Sequence, residues 1–126
     1  MISTKEILTI HQALIDNFGG SHGVRDMASL ESAVARPFQT YDNADLYRTS
    51  LDKAAALVES LLINHPFVDG NKRTGYTVLR LFLMQNGLDF TASQNSRYEF
   101  VIAIAAGELK FEAILIWLSN NTRQTD

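Results

Sequence analysis

His65-Pro66-Phe67-Val68-Asp69-Gly70-Asn71-Lys72-Arg73 places a titratable base, a carboxylate, an amide, two cations and a glycine within nine residues, between two segments of helical periodicity. Upstream, Ala54, Leu57, Val58, Leu61 and Leu62 recur at helical spacing between Ser50 and Ile63. Downstream, residues 73 to 85 carry Tyr76, Val78, Leu79, Leu81, Phe82 and Leu83 nearly all round a helix, and Asn86-Gly87 supplies a left-handed stop. The pattern predicts that this second helix is the central, most buried one. Gly70-Asn71-Lys72 then falls at its N-terminus, where unpaired amides and the helix dipole favour an anion.

Working outward, Ser3 and Glu6 have capping-box spacing, and Ile7, Ile10, Leu14, Ile15 and Phe18 share one helical face until Gly19-Gly20. Residues 21 to 24, framed by Gly20 and Gly23, read as a mobile flap or a tight hairpin. Asp26 or Ser29 can cap a short helix carrying Leu30, Ala33 and Val34, which Pro37 must end. Phe38 to Tyr47 has no clean period. After Asn86-Gly87, Ser96 and Glu99 repeat the capping-box spacing ahead of a helix over 100–106, Gly107 ends it, and Phe111 to Leu118 forms the last helix before a polar tail. The fold class expected is all-α: a compact helical bundle with a short flap or hairpin after the first helix, residues 1–126 forming one domain.

Bulk properties narrow the function classes. A chain of 126 residues, 46% hydrophobic and 20% charged, has the size and composition of one ordinary globular domain. Its net charge of −3 and pI near 5.5 give no overall field drawing it to nucleic acid or an anionic membrane, so any phosphate must be held locally. There is no cysteine, hence neither a disulfide framework nor a thiolate metal site. The start, Met1-Ile2-Ser3-Thr4-Lys5-Glu6, has no targeting character, and the longest apolar run, 100–106, is far short of a membrane span. The expectation is a cytoplasmic protein without direct nucleic-acid or membrane partners.

The loop reads as an anion cradle. Gly70 allows the close backbone approach a nest of N–H donors needs, Lys72 adds a point charge, and Arg73 adds a planar two-pronged donor. Asp69 is a hard oxygen ligand beside it, suited to Mg2+ held mostly by nucleotide phosphates and water. His65 is the natural general base toward an attacking hydroxyl. Phe67 alternates with His65 and Asp69 and should point into the core, while Pro66 stiffens the turn. A phosphate-binding P-loop is excluded: the pattern Gly-x-x-x-x-Gly-Lys-Ser/Thr is absent and no strand precedes the segment.

The nine residues resemble the Fic signature His-Pro-Phe-x-Asp/Glu-Gly-Asn-Gly-Arg, agreeing at eight positions; Lys72 replaces the last glycine, as in the Doc (death-on-curing) branch of the Fic/Doc family. Ile10-His11, Gly19-Gly20, Gly23-Val24-Arg25-Asp26 and Leu30-Glu31-Ser32-Ala33 also look like that branch. The resemblance implies that His65 is the base toward a target hydroxyl, that Asp69 engages magnesium, and that Gly70, Asn71, Lys72 and Arg73 bind the phosphates of ATP. It further implies a toxin of a toxin–antitoxin module acting on a protein of the translation machinery.

In Fic enzymes proper AMP is transferred; in the Doc branch the nucleotide is thought to bind inverted, so that the γ-phosphate moves. Lys72 decides between them, because its side chain crowds a phosphate lodged on the nest and offers a cation to one placed differently. Many Fic enzymes also carry a second arginine three residues after the first; here that residue is Tyr76, and Arg80 is no obvious substitute. These departures favour phosphorylation over AMP transfer. No serine or threonine has Glu four residues later, so the self-inhibitory pattern Ser/Thr-x-x-x-Glu of some Fic proteins is absent. Restraint is therefore expected from a partner antitoxin that supplies an inhibitory segment. The rival readings are an AMP transferase and a catalytically weak antitoxin-binding co-repressor.

Other residues invite roles that simpler chemistry explains. His11, on the apolar face of the first helix, reads as a core or interface histidine bonded to backbone, and His22 as an exposed flap side chain. Arg25-Asp26 is either a substrate clamp or a capping aspartate with a surface arginine. Trp117, between Ile116 and Leu118, reads as core.

Overall fold

A computed structural model of the chain describes residues 2–125; Met1, part of the non-targeting start, and Asp126, the last residue of the single-domain reading, lie outside them. The all-α expectation holds. The elements are α1 (Thr4–Phe18), α2 (Met27–Ala35), a 3-10 turn (Arg36–Phe38), β1 (Thr40–Tyr41), β2 (Ala44–Asp45), α3 (Ser50–Asn64), α4 (Asn71–Gln85), β3 (Leu88–Phe90), α5 (Gln94–Ala105), α6 (Phe111–Asn121) and β4 (Thr122–Gln124).

Local side-chain chemistry starts four of the six helices of the described residues. Ser3 and Glu6 form the capping box expected for α1, and Asp26 caps α2 by accepting the Ser29 amide. Thr49 and Asp52 form a second capping box on α3, a signal the sequence carried and the periodicity reading passed over. The cap of α5 is Ser93 rather than Ser96, which lies inside the helix and donates its amide to the Ser93 hydroxyl. Ser93 takes that role because β3 ends at Phe90 and the chain turns at once.

The central helix is α3, not α4 as the apolar circumference of α4 suggested. It packs against α2, α4, α5 and α6, and it buries Ala54, Ala55, Ala56, Leu57, Val58, Leu61 and Leu62. Consecutive alanines let neighbours approach on several sides, whereas α4 turns Tyr76 and Arg80 toward a cleft and leaves Met84 exposed. The two helices meet at Gly75, where a Cβ would lie 2.6 Å from Leu62 Cδ2. Close packing there fixes where α4 begins relative to the end of α3.

Three further expectations are corrected. Phe18 is not a core residue: it is 65% exposed at the last turn of α1, beneath the guanidinium of Arg73. The aperiodic stretch after Pro37 contains a small antiparallel hairpin, Thr40 opposite Asp45, turning through Asp42 and Asn43 at positive φ. The polar tail is a strand: β4 pairs antiparallel with β3, Phe90 opposite Thr122, and so ties α6 to the end of α4. Trp117 is half-buried and stacks on Phe100 at 3.7 Å. None of the helices of the described residues is long and apolar enough to cross a membrane.

Candidate active site

The loop between α3 and α4 is built by backbone hydrogen bonds that almost every side chain around it serves. His65 ends α3 in the left-handed conformation, φ 46°. Arg25 caps that end, donating from Nε to the His65 carbonyl at 2.8 Å and from Nη2 to the Asn64 carbonyl at 2.6 Å. Arg25 is therefore neither a substrate clamp nor an idle surface residue. The Pro66 carbonyl accepts the amides of Arg25 and Asp26 at 2.8 and 3.0 Å, and the Val68 amide donates to Gly23. Val24 and Phe67 form an antiparallel bridge. The flap forms no hairpin of its own; it lies along the loop as an added strand.

Phe67 enters the core, 2% exposed, and stacks on His11 with centroids 3.8 Å apart and planes within 5°. His11 Nε2 donates to the Asp69 carbonyl at 2.8 Å, so its tautomer carries the proton on that nitrogen. One histidine of α1 thus fixes the middle of the loop twice, by its ring face and by its edge. Asn71 fixes it again: its amide accepts the Phe67 N–H at 3.0 Å and donates to the Phe67 carbonyl at 2.9 Å. That side chain is spent on the loop, which leaves the Asn71 backbone amide facing outward at the helix start.

Asp69 is exposed, and its carboxylate accepts the Ser21 amide at 3.0 Å and the Gly70 amide at 2.8 Å. Those two hydrogen bonds, Ser21's the larger effect, hold its pKa below the ordinary aspartate value. A carboxylate beside the N-terminus of α4 thereby stays ionised. Gly70 starts α4 at φ 75°, and a Cβ there would lie 3.1 Å from Ile15 Cδ1. Whereas α1, α2, α3 and α5 each cap their first turn with a side chain, α4, like α6, has none. The first-turn amides after Gly70 are open to an external acceptor.

These groups edge a cleft of about 850 Å³. Asp69, Gly70, Asn71, Lys72 and Arg73 line it together, while His65, exposed at the end of α3, is not among the lining residues. The far wall comes from Tyr76 and Arg80 on α4 and from Gln94, Arg97 and Tyr98 on α5. Tyr76 and Arg80, three and seven residues after Arg73, share its helical face, whereas the three residues of α5 were not expected from the sequence. Nothing local announces Arg97. Lys72, Arg73, Arg80 and Arg97 face the cleft against Asp69 alone among carboxylates, so a chain of net charge −3 carries a local positive field. His22 pairs with Asp16 at 2.9 Å on the flap's other side and stays outside this cleft.

The anchoring by His11 carries a testable consequence. His11→Phe keeps the stack on Phe67 and deletes the donor to the Asp69 carbonyl, a change costing about 1 kcal/mol. His11→Gln places an amide N–H near the same point. Thermal unfolding should show a clear loss for phenylalanine and a smaller one for glutamine; equal losses would mean that the hydrogen bond to Asp69 is immaterial.

A left-handed helix end carrying a histidine, an amide-pinned carboxylate and a glycine-started, uncapped helix define the Fic-type loop, and the comparisons agree. Residues 1–83 match the model of the Fic/DOC family, two thirds of the chain, and the protein belongs to that family. It is 49% identical over 75 residues to "Toxin Doc" of Mycolicibacterium smegmatis, an alignment covering 60% of this chain and 58% of that protein's own length. It is 28% identical over 116 residues to "Protein kinase doc" of Escherichia phage P1, covering 90% of this chain and 88% of that one.

Proposed function

We propose that the chain is a toxin of a toxin–antitoxin pair, a transferase that moves the γ-phosphoryl group of Mg2+-bound ATP to a hydroxyl of a target protein of the translation machinery. The observation that carries this reading is the uncapped, Gly70-started N-terminus of α4 beside the ionised Asp69. The residues fit a nucleotide with its metal: the first turn after Gly70 has no side-chain cap competing for its amides, and Asp69 is the hard donor magnesium prefers. When bound, the nucleotide supplies the transferable phosphoryl group, and its metal neutralises charge developing on the phosphates.

The chain's own residues do the rest. Amides after Gly70, with Lys72 and Arg73, hold phosphate oxygens, and Asp69 holds the cation. His65 takes the proton of the target hydroxyl as that oxygen forms its bond to phosphorus and the bond to the departing ADP breaks. Its exposed place on the rim suits a base that must meet a protein substrate. The flap's strand-like course along the loop, with its outer edge at residues 20–24, offers such a substrate a backbone to lie against. Tyr76, in place of a second arginine one turn after Arg73, and the lysine at 72 favour phosphoryl over AMP transfer.

Both named relatives carry Doc names, "Toxin Doc" and "Protein kinase doc", which supports an antitoxin partner and kinase chemistry; the absence of a Ser/Thr-x-x-x-Glu pattern in this sequence is what favours a partner that supplies the inhibitory segment. Expression of the chain alone should arrest growth in a bacterial host, and His65→Ala or Asp69→Ala should relieve the arrest at equal protein level. Arrest of the same strength with all three proteins would remove the transferase reading and leave a binding protein.

A further inference from the structure

The loop supplies one wall of the cleft; the opposite wall is α5, and its most exceptional residue is Arg97. The Arg97 Nε is buried and has no hydrogen-bond partner among the described residues. Its guanidinium lies 5.6 Å from the centroid of the Phe90 ring, which supports the side chain without satisfying its donors. The carboxylate on β3, Asp89, gives its hydrogen bonds to Arg80, accepting from Nε at 3.2 Å and from Nη2 at 3.3 Å, and meets Arg97 only through longer-range charge attraction. A buried guanidinium donor without an acceptor is costly, and such a group in a cleft marks a place for an anion.

The cleft's geometry says which anion. A phosphoryl group on the α4 N-terminus leaves the remainder of a nucleotide's polyphosphate to run along the 850 Å³ cleft toward α5. On α4 the residue one turn beyond Arg73 is the neutral Tyr76, and the next cation, Arg80, is already paired. Charge free to meet a second phosphate therefore comes from α5. We propose that Arg97 is a nucleotide-binding residue, its guanidinium, whose Nε has no partner among the described residues, holding a phosphate of ATP other than the one on the Gly70–Arg73 loop. The planar, two-pronged guanidinium suits phosphate oxygens better than an ammonium does. This rests on the reading of the cleft as a nucleotide site.

The test is ATP binding, measured by calorimetry with Mg2+ on the full chain, for the wild type, Arg97→Met and Arg97→Lys. Methionine keeps the apolar stem against Phe90, so thermal unfolding should match the wild type while the Kd for ATP rises at least tenfold; lysine should recover part of the loss. A wild type and Arg97→Met that bind ATP equally would overturn this role and leave the proposed function standing. A wild type that binds no ATP would overturn both. A methionine variant whose Kd rises only as far as its melting temperature falls, with no recovery by lysine, would make Arg97 a structural residue and overturn the proposal.

Discussion

Replacing His65 with alanine is expected to lower the rate of group transfer by about 10²- to 10⁴-fold, the range that a positioned general base contributes. The fold should survive. The His65 side chain is exposed, and its backbone is held by Arg25 through the carbonyl rather than through the ring. Alanine pays a similar steric penalty at φ 46° as histidine does, so the melting temperature should move little. ATP affinity should also be nearly unchanged, because His65 does not line the cleft. Single-turnover transfer measured beside ATP binding separates the effects: a rate within tenfold of the wild type would place the base elsewhere.

The largest effect on stability is expected at Phe67. Its ring is 2% exposed, packed in the core and stacked on His11, and the alanine variant should lose about 3–5 kcal/mol. For a chain of this size that is a fall in melting temperature on the order of 10 °C or more. The consequence reaches the site, because Asn71 brackets the Phe67 backbone and His11 holds both the ring and the Asp69 carbonyl. Phe67→Leu, which refills much of the space without a ring to stack, should lose less stability but still slacken the Asp69–Gly70 peptide. Urea unfolding of the two variants checks the order. A Phe67→Ala protein as stable as the wild type would mean that the loop is held by the flap and Asn71 alone.

Much of this was legible because the loop's chemistry is local. His65, Asp69 and the Gly70–Arg73 segment lie within nine residues, and the glycine and charges at a helix start state their own purpose. The capping box at Ser3, the cap at Asp26 and the burial of Phe67 were legible for the same reason. What failed depended on distant packing. Phe18 continues the apolar face of α1 in sequence, but α1 ends where Arg73 reaches over it, and the ring serves the cleft rather than the core. Apolar residues all round α4 suggested the centre of the bundle, yet the small side chains of Ala54, Ala55 and Ala56 decide which helix can be surrounded. A tail of Thr, Arg and Gln gives no strand pattern until β3 offers it an edge.

The site showed the same division. Local pattern identified one wall of the cleft, and tertiary contact supplied the other. The Asn71 side chain is a clasp on the loop, bonded to both backbone groups of Phe67, a role its sequence position did not announce. Arg25 looked optional and proves to cap α3. His11 looked like an ordinary buried histidine, satisfied by a backbone carbonyl, and it is one; the carbonyl it satisfies belongs to Asp69.

Phosphoryl transfer to protein is settled by incubating the purified chain and its His65→Ala variant with cell lysate, Mg2+ and ATP labelled on either the α or the γ phosphorus. Protein-bound label is expected from γ only, and none with the variant. Label arriving from α would make the chain an AMP transferase and contradict the reading of Lys72 and Tyr76.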